Sequence, residues 1–154
     1  MKIEEVMWEH PDAVALRAAQ RAEIALRYGT SDSEPGAAPT AADIALFALA
    51  RADDGTPLGC AGLRDLGGAA GELKRMYVIP AGRGTGVAPA LLEFLEQWAR
   101  DRGWTRVRLE TGLSQPDAVR FYTRSGYRRI PNFGTYAGLE STSLCFEREL
   151  TPIP

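Results

Sequence analysis

The sequence predicts a single mixed α/β domain built around one central sheet. Its 154 residues are 45% hydrophobic and 25% charged, which suits one globular domain with an ordinary core. After an N-terminal helical segment, strand–turn–strand patterns come first and a β-α-β-α-β pattern follows. Because no internal repeat or linker divides the chain, we assign residues 1–154 to one domain.

The N-terminal part is predicted to contain a strand, a helix and a loop. Residues 2–8 have the pattern of a short strand. A helix is expected from Pro11 to Gly29, with Asp12 in its first turn, where a negative charge suits the helix dipole. Residues 30–40 are rich in Ser, Pro, Gly and Ala, and this composition predicts a mobile loop.

Two hairpin turns organise the next part of the chain. Residues 44–52 are predicted to form a strand, although their alanines leave a short helix as the alternative. The turn at 53–57 leads into a returning strand over 58–66. A second turn at 67–71 leads into a strand over 72–79.

The remaining residues alternate helices and strands. A long amphipathic helix is expected over 87–102, and a strand follows over 107–111. A short helix over 116–124 precedes two final strands, over 127–130 and 143–150.

Composition and rare residues exclude several kinds of protein. The net charge of −2 offers no basic footprint for nucleic acid. Without a signal-peptide pattern or a membrane-length apolar run, we expect a cytoplasmic soluble domain that does not bind membranes. Cys60 and Cys145 lie among strand-forming residues and are expected to be buried, reduced thiols. His10 stands alone, which argues against a zinc site and a Ser/His triad, so no metal is expected.

The most informative segment is Val78–Ala88, where a strand passes through a Gly-rich loop into a helix. The first N–H groups of a helix lack internal partners and carry partial positive charge, so they bind anions. Gly84 and Gly86 let the backbone approach a phosphate closely, and Arg83 adds positive charge. A tight strand–helix connection that merely needs glycine explains the loop equally well.

Two familiar phosphate-binding motifs do not fit this loop. A Walker A loop ends in Gly-Lys-Ser/Thr, whereas this one ends Gly86-Val87-Ala88. A dinucleotide fingerprint needs a third glycine, where this chain has Pro89, and an early β-α-β position.

The loop resembles the signature of the GNAT family of acetyltransferases. That signature, Gln/Arg-x-x-Gly-x-Gly/Ala, is matched in phase by residues 83–88. A second family pattern, Asn-x-x-Ala followed by an aromatic Tyr-x-x-x-Gly-Phe/Tyr segment, is similar to residues 115–118 and 121–127. The resemblance covers residues 72–127. It implies a mixed, mostly antiparallel twisted sheet of about six to seven strands flanked by about four helices.

The resemblance also implies a coenzyme site for acetyl-CoA. The loop would hold the pyrophosphate on its backbone amides, and the strand before it would line the pantetheine arm. Tyr122 would protonate the departing thiolate; the alternative is that its ring simply packs in the core. The residues implied for coenzyme binding are Met76, Tyr77, Val78, Arg83, Gly84, Thr85, Gly86, Val87, Ala88, Gln115, Ala118 and Tyr122.

Two acidic residues are candidates for the general base. Glu72 begins the strand where several family members carry a glutamate base. Strict alternation places it on one face with Lys74 and Met76, opposite Leu73, Arg75 and Tyr77. A surface ion pair is the alternative for Glu72. Glu110 is the second candidate, as a base or as host for a cationic amine, although a salt bridge is the interpretation we prefer for it.

The acceptor side is less specified. In this fold the acceptor pocket is typically built from the first helical region, here residues 28–43, and from the loop over 131–138. Phe133 and Tyr136 either flank a small acceptor or pack within their own loop. Gln115, where the family often has asparagine, and Pro89, which has no N–H, are expected to alter coenzyme binding without abolishing it.

The predicted function is therefore N-acetylation of a primary amine of a small molecule or peptide, by direct transfer from acetyl-CoA in a ternary complex. Acid-rich positions near the site would favour a cationic amine. The alternatives are an acyl-CoA sensor or partner-binding module without transferase activity, and a domain whose glycines only make turns. Analogy with such folds adds a homodimer through the final strands as an expectation.

Overall fold

A computed structural model describes residues 1–29, 35–113 and 115–151 of the chain. Its strands and α-helices are β1 Lys2–Glu5, α1 Pro11–Tyr28, β2 Ile44–Arg51, β3 Pro57–Gly67, β4 Ala70–Val78, α2 Val87–Asp101, β5 Arg106–Gly112, α3 Pro116–Arg124, β6 Arg128–Ile130 and β7 Ser143–Glu149. Two short 3₁₀ turns cover Pro80–Gly82 and Gly134–Tyr136. Residues 30–34 of the predicted mobile loop lie outside the described residues.

All seven strands belong to one sheet with the order β1-β2-β3-β4-β5-β7-β6. Strands β4 and β5 are parallel, and every other neighbouring pair is antiparallel. The predicted mixed, mostly antiparallel sheet is therefore confirmed. Three α-helices and two 3₁₀ turns occupy the described part of the chain, where about four helices were expected. None of the described helices is long and apolar enough to span a bilayer.

Local signals account for most element boundaries. His10 caps α1, because its Nδ1 accepts a hydrogen bond from the Asp12 N–H at 3.1 Å. Strand β1 ends at Glu5 instead of continuing to Trp8, whose ring packs edge-on against Phe47 at 5.2 Å. Residues 44–51 form strand β2 and not the alternative short helix.

Two hydrophobic layers cover the sheet. The larger contains Leu91, Leu95 and Ala99 of α2, and the smaller contains Ala13 and Leu16 of α1. The two cysteines are buried and free, as predicted: burial raises the pKa of Cys60 to about 12, and burial also raises the pKa of Cys145.

Strands β4 and β5 pair only at their beginnings. Their paired residues are Ala70 with Arg106, Gly71 with Val107, and Glu72 with Arg108. Beyond Glu72, β4 stays paired with β3 on its other side, and β5 stays paired with β7. The carboxyl-terminal halves of β4 and β5 are thus separated by a gap in the middle of the sheet.

A β-bulge in β4 interrupts the strict side-chain alternation that the sequence predicted for this strand. Arg75 has a left-handed φ of 61°, and it stands with Met76 opposite the single residue Ala61 of β3. Because of this extra residue, the side chains that follow Lys74 point to the opposite faces of the sheet from those that strict alternation predicts. Met76 therefore packs in the same hydrophobic layer as Leu73, and not on the face of Glu72 as strict alternation predicted.

At Gly59 the backbones of β3 and β4 lie too close together for a side chain. A Cβ built there would lie 2.6 Å from the backbone oxygen of Tyr77, which cannot move without shifting β4. We expect Gly59→Ala to lower the free energy of unfolding by about 1–3 kcal/mol in a denaturant titration. Gly82→Ala is the control, since a Cβ there would meet nothing nearer than the Val78 side chain at 3.3 Å, and it is expected to cost less. Equal losses would contradict this account.

Candidate active site

The gap between β4 and β5 holds a cavity of about 390 Å³. Its walls are the two separated strands, the polar side of α1 and the start of α3. Seven of the predicted coenzyme-binding residues line it: Met76, Tyr77, Val78, Arg83, Gln115, Ala118 and Tyr122. The other five, residues 84–88, lie beyond Arg83 in the loop and the first turn of α2.

The open edge of β4 faces this cavity. The Ile79 N–H donates to the Leu58 carbonyl of β3 at 2.9 Å, so the N–H and carbonyl of Val78 point the other way, into the gap. Two carbonyls on this edge accept hydrogen bonds from side chains. The Val78 oxygen accepts from Arg83 Nε and the Met76 oxygen from Gln20 Nε2, both at 3.0 Å.

The Gly-rich loop presents the N-terminus of α2. Gly86 is the N-cap residue in a left-handed conformation with φ of 93°, and no side chain caps this end. The first turn of α2 has no acidic residue. The Thr85 hydroxyl donates to the Gly82 carbonyl at 2.5 Å, which braces the loop. The N–H groups and partial positive charge of this helix end suit a phosphate group.

Arg83 is not an isolated positive charge. Its guanidinium bonds Glu23 of α1 at 2.6 Å, and this hydrogen bond raises the pKa of Arg83 and lowers the pKa of Glu23. The pair ties the loop to α1 and offsets the charge that the sequence predicted for the phosphate site. The attraction for an anion therefore rests mainly on the backbone of α2.

Tyr122 lies at the inner wall of the cavity. It projects from α3 into the core and is 8% exposed, with its ring 5.8 Å from that of Tyr127. Burial raises the pKa of Tyr122 above its ordinary value, so the hydroxyl remains protonated at neutral pH. The residue thus packs in the core, as one alternative predicted, and also lines the cavity, where the predicted role toward the thiolate stays a prediction.

A second cavity of about 560 Å³ adjoins the first. The two share seven lining residues: Gln20, Ile24, Leu73, Arg75, Glu110, Gly112 and Gln115. Tyr28, Pro35, Lys74, Leu113 and Ser141–Ser143 complete its walls. The two cavities therefore meet at a junction between α1, β4 and β5, and we call these seven residues the junction.

The two candidate bases have different surroundings. Glu110 belongs to the junction and is half-buried, and its carboxylate accepts a hydrogen bond from Ser143 Oγ at 2.7 Å. Glu72 is 2% exposed and lines neither cavity. The structure thus brings Glu110 together with the cavity residues and leaves Glu72 apart.

Glu72 belongs to a buried polar network. Its carboxylate accepts a hydrogen bond from the Tyr136 hydroxyl at 2.5 Å, and that hydroxyl accepts one from Lys74 Nζ at 3.1 Å. Arg64 of β3 lies 3.6 Å from the other carboxylate oxygen. These contacts join β3, β4 and the loop before β7, so Glu72 forms an ion pair as the alternative predicted, but a buried one and not one at the surface.

The loop over 131–138 does not line the second cavity among the described residues. Phe133 packs edge-on against Tyr136 at 5.3 Å, and Tyr136 is 3% exposed. These aromatics therefore pack within their own loop, the second of the two predicted alternatives. The following residues, Ser141–Ser143, line the cavity instead.

Sequence reasoning missed the contribution of α1. Gln20, Glu23 and Arg27 line the first cavity, and Arg27 donates to the Gln115 amide oxygen at 3.3 Å. A signal for this was present: the inward stripe of α1 is apolar near Leu16 and becomes polar one turn later. Such a change along one helix face indicates that its second half faces a cavity and not the core.

Comparison with known proteins agrees with this architecture. The profile of the acetyltransferase (GNAT) family matches residues 14–127. An IAA acetyltransferase from Azospirillum brasilense is 38% identical over 105 residues, which are 68% of this chain and 67% of that protein. An aminoalkylphosphonate N-acetyltransferase from Salmonella typhimurium is 37% identical over 59 residues, only 38% of either chain.

Solved structures share the whole fold. One from Klebsiella pneumoniae, described as an acyl-CoA N-acyltransferase, has a TM-score of 0.81 and 29% identity over 97% of both chains. The PaiA N-acetyltransferase from Thermoplasma acidophilum, solved with coenzyme A, has a TM-score of 0.70 at 19% identity, covering 97% of this chain and 99% of that one. At that identity the likeness concerns the fold alone. The family match spans most of the described chain, and the protein belongs to the acetyltransferase (GNAT) family.

Proposed function

We propose that this protein transfers an acetyl group from acetyl-CoA to a small amine, directly and in a ternary complex. The observation that carries the proposal is the junction, where the cavity along the open edge of β4 meets the second cavity. Two substrates entering from opposite sides would have their reactive groups in contact there. Such an arrangement favours direct transfer, because proximity replaces a bimolecular encounter.

The first cavity suits the coenzyme. The α2 N-terminus offers backbone N–H groups to a diphosphate, and the open edge of β4 offers hydrogen bonds to an amide-containing arm. When bound, acetyl-CoA supplies a thioester whose acyl carbon forms a C–N bond with the amine as its C–S bond breaks. The Val78 N–H, directed into the gap, is our candidate for polarising the thioester carbonyl.

Glu110 is our candidate for the proton acceptor. The amine nitrogen must lose a proton as it forms the C–N bond, and a carboxylate that borders the junction is a suitable acceptor. The hydrogen bond from Ser143 Oγ fixes one carboxylate oxygen of Glu110. Glu72 lacks such access because its carboxylate is enclosed by Tyr136 and Lys74.

Tyr122 is our candidate for the proton donor to the leaving thiolate. A thiol has an ordinary pKa of about 8.5, so its thiolate leaves more readily once it receives a hydrogen bond or a proton. Tyr122 lines the cavity that suits the coenzyme, and burial raises the pKa of its hydroxyl, which therefore stays protonated.

The second cavity suits a small polar amine more than a long peptide. Its volume of about 560 Å³ lies within the usual range of small-molecule sites. Glu110 is the one acid among its described lining residues; the basic ones are Lys74, whose charge is offset by Glu72 at 3.7 Å, and Arg75. The acid-rich lining expected from the sequence is therefore reduced to one carboxylate, which suits the single charged amino group of a small acceptor.

The direct test is coenzyme A release from acetyl-CoA with a panel of small amines, peptides and aminoglycosides. The panel includes aminoalkylphosphonates, because one relative is an aminoalkylphosphonate N-acetyltransferase. We expect turnover above hydrolysis with at least one small amine. Thermal stabilisation by acetyl-CoA without turnover on any amine would favour the sensor function instead. No stabilisation and no turnover would contradict a coenzyme site altogether.

The Gly86→Val variant tests whether the loop binds the diphosphate of coenzyme A. A side chain at a φ of 93° is strained, and its Cβ would project into open space beside the α2 N-terminus, where we place the diphosphate. We expect the Kd for coenzyme A, measured by calorimetry, to rise about tenfold or more. Gly103→Val is the matched control, with φ of 77° and open space at the far end of α2. The Gly103→Val variant should bind coenzyme A as tightly as the wild type. An equal loss of coenzyme A affinity in both variants would contradict diphosphate binding by the loop.

Glu110→Gln and Glu72→Gln separate the two candidate bases. Loss of the proton acceptor in Glu110→Gln should lower kcat by about 10²–10⁴-fold, with partial recovery at high pH as more amine is deprotonated. Glu72→Gln should instead lower stability by about 3 kcal/mol, because Lys74 loses a buried counter-charge, whereas Arg64 keeps its ion pair with Asp43. Steady-state kinetics and thermal unfolding of both variants show which glutamate is the base. A larger kcat loss in Glu72→Gln would restore Glu72 as the base.

A further inference from the structure

Gln20 occupies the centre of the site without a role in the steps described so far. It lies in the middle of α1 and lines both cavities, so it belongs to the junction. Across the junction, Glu110 projects from β5 on the other side of the gap. Gln20 and Glu110 are thus two polar side chains from different elements that border the same meeting point.

The orientation of the Gln20 amide is set by the bulge in β4. Its Nε2 donates a hydrogen bond to the Met76 carbonyl at 3.0 Å. The reverse orientation would put two acceptor oxygens against each other, since a carbonyl has no proton to donate. The contact with Met76 therefore determines which end of the amide carries the free acceptor.

That free acceptor lacks a protein donor. Gln20 Oε1 is buried and accepts no hydrogen bond from any residue in the described part of the chain. A buried carbonyl oxygen without a donor is unfavourable, and native proteins seldom retain one unless a ligand or water completes it. The Gln20 side chain lines both cavities while Oε1 itself is covered, so the groups that cover it must move aside for a bound molecule to supply that donor.

We propose that Gln20 Oε1 accepts a hydrogen bond from the attacking amine and so positions it against the thioester. This inference rests on the proposed function and adds a residue to the acceptor site. A neutral primary amine has two N–H bonds and one lone pair. One N–H donates to Gln20, the other faces Glu110, and the lone pair points at the acyl carbon.

The proton balance leaves Gln20 unchanged throughout. The lone pair of the neutral amine forms the C–N bond, and Glu110 takes the N–H proton that the nitrogen must then lose. The thiolate that leaves with the C–S bond electrons takes its proton from Tyr122. Gln20 gains and loses no proton, because an amide oxygen is only a hydrogen-bond acceptor at neutral pH.

Two substitutions separate this role from a purely structural one. Gln20→Met and Gln20→Glu both remove the N–H that holds the Met76 carbonyl, but only Gln20→Glu retains an acceptor oxygen. The kinetics use the primary amine with the highest kcat/KM in the wild-type panel. We expect Gln20→Met to raise the KM for this amine about tenfold, and Gln20→Glu to keep it within about threefold. Both variants lose the contact with the Met76 carbonyl on the coenzyme side, so any change in the KM for acetyl-CoA should be the same in the two.

The outcomes distinguish this inference from the function on which it rests. If both variants raise the amine KM equally, or Gln20→Met leaves it unchanged, Gln20 only braces the bulge and the inference is wrong. A wild-type protein that releases no coenzyme A with any amine contradicts the proposed function, and the role of Gln20 with it. Thermal unfolding of both variants checks that any loss of activity does not reflect loss of the fold.

Discussion

The separation of β4 from β5 leaves backbone hydrogen-bonding groups without a neighbouring strand in the centre of the sheet. Such groups are costly to bury unpaired, so a divergence of this kind persists only where other groups complete them. Side chains complete three carbonyls around the bulge: Cys60 donates to Arg75, Gln20 to Met76, and Arg83 to Val78. The carbonyls are thereby satisfied within the protein, and the N–H group of Val78 remains directed into the cavity.

The same contacts connect the site to the rest of the fold. Gln20 links the bulge to α1, and the Arg83–Glu23 ion pair links the Gly-rich loop to the same helix. Helix α1 thus forms one wall of both cavities while its first half packs on the sheet through Leu16. A change in the position of α1 would alter both cavities together, as the proposed direct transfer between two bound substrates requires.

Charge is distributed unevenly between the core and the site. Glu72 is enclosed by counter-charges in a network that joins β3, β4 and the loop before β7. Glu110 borders the junction of the two cavities, which is why we propose it as the proton acceptor. Two glutamates on neighbouring paired strands therefore have different environments, one enclosed by counter-charges and one at a cavity wall.

Local pattern was sufficient for the fold class, the order of elements and the Gly-rich loop, because periodicity, turns and helix ends depend on residues close in the chain. It was not sufficient for the bulge at Arg75, which reversed the faces of Met76 and Tyr77 relative to strict alternation. Nor did it bring Gln20 into the site or separate Glu110 from Glu72. Those assignments depend on which side chains meet across the gap between β4 and β5, and contacts between residues far apart in the chain arise only when the helices and the sheet pack together.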